Sequence, residues 1–237
     1  MSQLCLDDPL GAVRVCAHLF SQIEQMGYSV SVSSDPEELA SAKMSARQKQ
    51  LSPYFDPQVC NFNVDRFFWV KLTSKAGTIS ALQAYRYDYV DTSLAEWGPS
   101  YIIGLYMRRQ ELLIPSHTTP PKSSISSRIR GKLVYHGEFW VDTNARNRKL
   151  LEVFSRLGMV LSLIKWNPDA VWALCSKSMA SHGHPNRMGY TYLESGFLRW
   201  QWTSEEDYHI EWLNVAERSS IEQMVNEIGD SLALNPK

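Results

Sequence analysis

Arg146, Arg148 and Lys149 fall where a strand-like run, Leu133–Val141, gives way to a helix-like run, Asn147–Ile164. The first N–H groups of such a helix have no partner within it and lie at the positive end of its dipole. Cationic side chains at the same turn make it suited to a phosphate or a similar anion. The alternative is an ordinary strand-to-helix connection with solvated basic residues, although acidic helix starts are the more usual. Downstream, His182-Gly183-His184 offers two imidazoles that can donate a proton near neutral pH, or simply a polar loop. No third ligand is spaced to join them, and the four cysteines Cys5, Cys16, Cys60 and Cys175 contain no CxxC pair. No metal centre is expected.

The elements that must position these residues can be read from periodicity. Pro9–Met26 has helical apolar spacing and stops before Gly27, and Tyr28–Ser33 alternates as a short strand. Asp35, Pro36 and Glu38 form a helix start, and the helix that follows is only weakly apolar, so it is expected on the surface. Arg66–Thr73 and Thr78–Val90 read as an antiparallel hairpin across Ser74-Lys75-Ala76-Gly77. Ser93–Arg109 is compatible with strand or helix, because Gly98-Pro99 interrupts it. Leu113–Lys132, with Pro115, Pro120, Pro121 and a serine run, reads mainly as a loop. After the strand and helix of the central unit come a buried strand at Ala170–Cys175 and a short helical region before Met188. Gly189–Glu194 and Phe197–Trp202 read as strands turned at Ser195-Gly196. A further strand at Tyr208–Val215 and an amphipathic helix at Ala216–Gly229 close the series. The expected fold is mixed α/β: one domain over residues 1–237, a mostly antiparallel central sheet flanked by helices, with N-terminal helices and a loop-rich insertion around 110–132.

Composition narrows the function classes. The 237 residues carry a formal charge of −1, are 44% hydrophobic and 21% charged, and so describe a folded chain without the basic surplus of a general nucleic-acid binder. No window supplies the roughly 18 uninterrupted apolar residues of a membrane span. Asp7 and Asp8 interrupt any basic-then-apolar leader pattern. The expectation is a cytoplasmic protein with neither nucleic-acid nor membrane partners.

The succession of elements, and the turn Val141–Leu151 in particular, resembles the Gcn5-related N-acetyltransferase superfamily. In that family an apolar residue ends a strand, and about five positions on, an Arg/Gln-x-x-Gly-x-Gly/Ala turn opens the next helix. Val141, then Arg146, then the apolar Leu150, Leu151 and Phe154 follow that pattern, whereas Asn147 and Lys149 replace the two glycines. Glycine there permits close phosphate approach and unusual dihedrals; asparagine tolerates left-handed geometry better than lysine. The resemblance implies acetyl-CoA or another acyl-CoA as cosubstrate, its pyrophosphate held by Arg146, Asn147, Arg148, Lys149 and Leu150 beyond Val141.

It further implies an N-acyltransferase in which a small-molecule or peptide amine attacks the thioester directly; a catalytically inactive ligand-binding or interaction protein is the alternative, and a longer-chain acyl donor a related one. The tyrosine that many members use to protonate the departing thiolate would fall near Pro185, which cannot do so, leaving His182 or His184 as a substitute. Members often use a carboxylate on the strand that carries the cofactor, and Glu138 occupies that strand. Alternation puts His136 and Glu138 on one face, as a catalytic pair or as a structural hydrogen bond. Tyr85, Tyr87, Tyr89 and Trp97 are candidates for the acceptor side.

Overall fold

The computed structural model describes residues 8–60, 63–109, 113–115, 120–145, 147–202 and 207–234. Helix α1 (Pro9–Gln25) starts where the Asp8 carboxylate accepts the Gly11 N–H at 2.8 Å, and it buries Ala12, Val15, Leu19 and Ile23. Strand β1 (Tyr28–Ser33) follows, then α2 (Pro36–Arg47), capped by Asp35 through the N–H groups of Glu37 and Glu38. Strands β2 (Phe67–Ser74) and β3 (Ile79–Val90) form the expected hairpin. Ser93–Arg109 resolves as a helix, α3 (Leu94–Arg108), because Ser93 and Glu96 close a reciprocal capping box that outweighs the proline within the helix. Part of the following segment forms β4 (Leu113–Pro115); residues 110–112 and 116–119 lie outside the described set.

The central unit is β5 (Gly131–Val141), α4 (Arg148–Trp166) and β6 (Ala170–Cys175). Two short helices, α5 (Lys177–Ser181) and α6 (His184–Met188), lead to β7 (Tyr192–Trp202), β8 (His209–Glu217) and α7 (Arg218–Leu234). The turn read at Ser195-Gly196 is absent: β7 runs through it. Gly196, at φ 85°, supplies the positive φ of a bulge, and the register with β8 shifts between Ser195 and Leu198. The hairpin is instead the one between β7 and β8.

The eight strands found among the described residues lie in one sheet, ordered β1-β2-β3-β5-β6-β8-β7-β4. Every pairing is antiparallel except β5 with β6, which the α4 crossover makes parallel. One face packs on α1, α4 and α7 through Phe68, Val70, Phe154, Leu157, Val160 and Ile221. The other packs on α2, the segment 51–60 and α3 through Phe55, Phe67, Trp69, Trp172 and Phe197. Among the described residues no helix is long and apolar enough to cross a membrane.

The contact of α4 with the sheet is polar at its centre. Gln83, fully buried, donates to the Phe154 carbonyl at 2.7 Å, and the Tyr85 hydroxyl lies 3.0 Å from Gln83 Oε1 and 3.3 Å from the Ser155 carbonyl. Tyr85 fits only because α4 carries Gly158, whose added Cβ would overlap the phenol oxygen and ring. Gly158→Ala is therefore expected to lose about 1–3 kcal/mol in urea unfolding, through overpacking. Gly104→Ala, in helix α3 with nothing within 4 Å of the added carbon, is expected to be neutral or to gain about 0.4–1 kcal/mol.

Candidate functional site

The parallel pair β5–β6 is short. Leu133, Val134 and Tyr135 pair with Ala170, Val171 and Trp172, while β6 goes on pairing with β8 as far as Cys175 opposite Trp212. Beyond Tyr135 and Trp172 the two parallel strands part, and their carboxyl ends border a split in the sheet. Backbone groups on such an edge need partners and can take a strand-like guest. Crevices at the carboxyl ends of parallel strands are where open α/β sheets bind ligands. The start of α4 stands at that same end.

At this helix start Asn147 is the cap. Its backbone is extended (φ −137°) and its side-chain oxygen accepts the Leu150 N–H at 2.7 Å. That leaves the N–H groups of Arg148 and Lys149 as the first two donors of α4. Lys149 is exposed, Leu150 is buried in the α4-face core, and Val141, also buried, ends β5. Arg146 lies outside the described residues. Lys149 also lines a groove of about 1050 Å³ between α1, α4, α7 and the Asn186–Thr191 turn, with Glu152, Val153 and Arg156 beside it.

On the inner wall of the groove is Tyr190, buried, with its hydroxyl 2.7 Å from His136 Nδ1. His136 stacks on Tyr85 with centroids 4.4 Å apart and meets Phe139 edge-on. It is 2% exposed, its Nε2 has no hydrogen-bond partner, and burial lowers its pKa to about 3. The imidazole is therefore neutral. Burial also holds the Tyr190 hydroxyl well above its usual pKa, so it stays protonated. Residue type alone gives Tyr190 no chemical role; the signal beside it is Gly189, which takes φ 104° and turns the chain so that the next side chain points inward.

Glu138 does not share a face with His136. It adopts φ +54°, and the register between β3 and β5 shifts between Leu82 and Ala84, so Gly137 and Glu138 form a bulge. The bulge interrupts alternation and sends Glu138 to the α2 face, while His136 and Phe139 stay on the α4 face. There the Glu138 carboxylate is ion-paired with Lys43 of α2 and accepts the Ser52 N–H at 2.8 Å, with side chains 2% and 9% exposed. Burial lowers the Lys43 pKa, against the opposing pull of Glu138. Helix α2 thus buries a lysine among its inward positions, which is why its sequence looked only weakly apolar.

The same alternation redistributes the proposed acceptor-side aromatics. Tyr85 and Tyr87 face α4, Tyr89 is 60% exposed, and only Trp97 joins the opposite core. Tyr135 is on that opposite face, and its pKa is raised by burial first, then by Tyr106, Glu211 and Glu138. Glu211, which accepts the Trp200 indole N–H at 3.3 Å and is itself pushed up by burial, escaped the sequence reading because nothing in β8 marks it as inward-facing. His184 opens α6 with its ring 6.0 Å from that of His182, and it is not among the residues lining the groove. Among the described residues no cluster could hold a metal ion.

No protein-family model and no curated protein matches the chain. Solved structures do resemble it in fold. They include Arabidopsis thaliana NAA60 with a bisubstrate analogue, at 13% identity over 80% of this chain and 98% of that one, with a TM-score of 0.44. FeeM, an N-acyl amino acid synthase from uncultured soil microbes, matches at 10% identity over 83% and 93%, with a TM-score of 0.46. The ribosomal-protein-S5-alanine acetyltransferase from Vibrio fischeri matches at 11% over 81% and 93%, also with 0.46. The resemblance is to acetyl- and acyltransferases. It is a likeness of fold, and the assignment of chemistry rests on the residues described above.

A neutral buried histidine has a consequence for stability. In the unfolded chain an ordinary histidine titrates near pH 6.5, so between about pH 6.5 and 3 the unfolded state binds a proton that folded His136 does not. Its contribution is intact above pH 6.5 and declines as pH falls, by about 1.4 kcal/mol per unit, until the folded group titrates. Urea unfolding at a series of pH values is expected to show this slope in the wild type and to lack it in His136→Gln.

Proposed function

We propose that the protein is an acyl-CoA-dependent N-acyltransferase. The observation that carries this reading is the split between β5 and β6, with the start of α4 at its open end. Acyl-CoA combines an anionic pyrophosphate, an amide-bearing arm and a thioester, and the site provides for each in that order. The N–H groups of Arg148 and Lys149, with the charges of Lys149 and Arg146, would hold the pyrophosphate. Val141 and the parted strand edges would take the amides of the arm. The groove beside Lys149 and Arg156 is large enough for a nucleotide. Asn147 fits as a cap rather than as a glycine replacement, since its extended backbone requires no left-handed conformation. The Asn147 side chain takes up one helix donor, so the contact with phosphate would be narrower than a glycine-rich turn makes.

The bound cosubstrate supplies an activated acyl group and a thiolate leaving group. An amine arriving from the α2 face gives a proton to Glu138, and Tyr190 on the α4 face gives one to the departing sulfur. If His136 Nδ1–H donates to the Tyr190 oxygen, the unpartnered Nε2 is a bare acceptor, the less costly group to bury, and the phenol proton is left to point outward. Tyr190 then takes the role for which His182 or His184 is the expected substitute, and His136 orients it. A catalytically inactive binding protein is the second reading, and the observation that favours it is the closed Lys43–Glu138 pair, which leaves the carboxylate occupied.

Calorimetric titration and thermal unfolding with acetyl-CoA and CoA test the first reading. At a hundredfold excess over Kd, about 2.7 kcal/mol of added stability is expected, and Arg146→Ala should reduce it. Tyr190→Phe should slow turnover of an amine panel by roughly 10²-fold while leaving acetyl-CoA affinity unchanged. Binding without turnover of any amine would favour the inactive reading, and absence of binding at millimolar ligand would remove both assignments at the turn.

A further inference from the structure

Lys43 is already paired with Glu138, the carboxylate proposed above to receive the proton of an acceptor amine. Its Nζ rests on the carboxylate of Glu138, 8% of the residue is exposed, and its alkyl chain leaves α2 beside the core residues Leu39 and Ala42. Glu138 lies three positions beyond Tyr135, the last β5 residue paired with β6, and so stands where the split begins. A thioester seated in that split would lie beside this carboxylate. The carboxylate is held by a residue at φ +54°, a conformation that costs a side-chain-bearing residue about 1–2 kcal/mol and that proteins retain mainly where it serves a site. A buried lysine is costly unless paired, and a leucine or methionine would fill the same α2 position without that cost.

We propose that Lys43 is an internal acyl acceptor, acylated on Nζ by the acyl-CoA bound in the split, with Glu138 receiving the proton. The inference rests on the acyl-CoA reading of that site. In the reaction, the Lys43 ammonium gives one proton to the Glu138 carboxylate, and the freed amine attacks the thioester carbonyl carbon. The N–C bond forms and the C–S bond breaks. The nitrogen then sheds a second proton to solvent, the departing thiolate takes one from Tyr190 to become the thiol, Tyr190 recovers a proton from solvent through the groove it lines, and an amide N–H remains. Glu138 returns its proton to solvent. No oxidant or further reactant is needed. Burial favours the first step by lowering the pKa of Lys43 below that of an ordinary lysine, while Arg47 and Arg109 nearby act in the same direction and Glu138 opposes them.

The product would alter the site. An acylated Lys43 carries no charge, so Glu138 retains only the Ser52 N–H, and the acyl group must occupy space between α2 and β5. The modified chain would present an unpaired carboxylate to the next amine, whereas the unmodified chain presents a closed ion pair.

The test is incubation of the full chain with acetyl-CoA, followed by peptide mass spectrometry, with acetyl-CoA affinity measured in parallel by calorimetry. The expected result is the mass of one acetyl group on Lys43, gained faster than on the exposed Lys49, Lys75 and Lys177. In Glu138→Gln the rate at Lys43 should fall at least about tenfold, while the exposed lysines react as before. Lys43→Arg keeps a cation on Glu138; it should bind acetyl-CoA like the wild type and gain no acetyl group at position 43. Acetyl-CoA binding without modification of Lys43 would overturn the proposal alone, as would a rate at Lys43 indifferent to Glu138→Gln. Failure to bind acetyl-CoA at all would overturn the acyl-CoA reading and this inference with it.

Discussion

The bulge at Gly137-Glu138 is the constraint on which the arrangement of the site depends. A regular strand would send His136 and Glu138 to the same face and would leave one face of the sheet without chemistry. One extra residue in β5 breaks the alternation, so a carboxylate goes toward α2 while an imidazole stays against α4. The left-handed conformation of Glu138 is unfavourable by itself, and it persists because two contacts hold the side chain: the Lys43 ion pair and the Ser52 N–H. Helix α2 and the segment after it are thereby fixed to the middle of the sheet by a polar contact. Arg109 adds to this, pairing with Asp56 at 3.3 Å and donating to the Leu51 carbonyl.

The α4 face is organised by a column of buried polar groups. From the groove inward it runs through the Tyr190 hydroxyl, His136, the ring and hydroxyl of Tyr85, Gln83 and the carbonyls of Phe154 and Ser155. Ser155 extends it by donating to the Met188 carbonyl at 3.0 Å, which fastens α6 to α4. Such groups in an apolar interior are tolerable only when nearly all are satisfied. The unpartnered His136 Nε2 is the exception on this column, and the neutral imidazole keeps its cost to that of one uncharged polar group. The column also explains why α4 carries Gly158 where a larger residue would otherwise pack.

Much of this fold could be read from the chain, and the failures have physical causes. Helix starts at Asp35 and the hairpin at Ser74–Gly77 were legible because their signals are local: a capping carboxylate, a proline, a glycine in a turn. The strand–helix–strand unit was legible because α4 buries an apolar stripe more than one face wide. The bulge at Glu138 was not, since Gly-Glu-Phe carries no signature that separates a bulge from a regular strand, and its cause is the distant Lys43. Helix α3 stays open between helix and strand when Gly98-Pro99 is weighed without the Ser93–Glu96 capping box. Gly196 was read as a turn because a turn and a bulge call for the same backbone freedom. The α4 start was legible to within one residue, because Asn147 caps it and leaves the Arg148 and Lys149 N–H groups as its first donors, whereas Tyr190, Glu211 and Lys43 were invisible because their inward direction cannot be read from residue type.

With the proposed acid, Tyr190, and the proposed base, Glu138, on opposite faces of one sheet, the acyltransferase reading carries a geometric condition. A proton donor at Tyr190 and an acceptor at Glu138 can serve the same reacting carbon only if that carbon lies within the sheet itself, where β5 and β6 have parted. The two reactants must then approach from different sides, one along the α4 groove and the other past α2. The separation has a benefit, because it keeps a carboxylate and a phenol from neutralising each other by direct hydrogen bonding. On the acyltransferase reading proposed above, the short β5–β6 pairing becomes a condition of the chemistry: extending it beyond Tyr135 and Trp172 would close the split and isolate the two groups. The fold and the chemistry are thus coupled through one dimension, the number of residues over which two parallel strands remain paired.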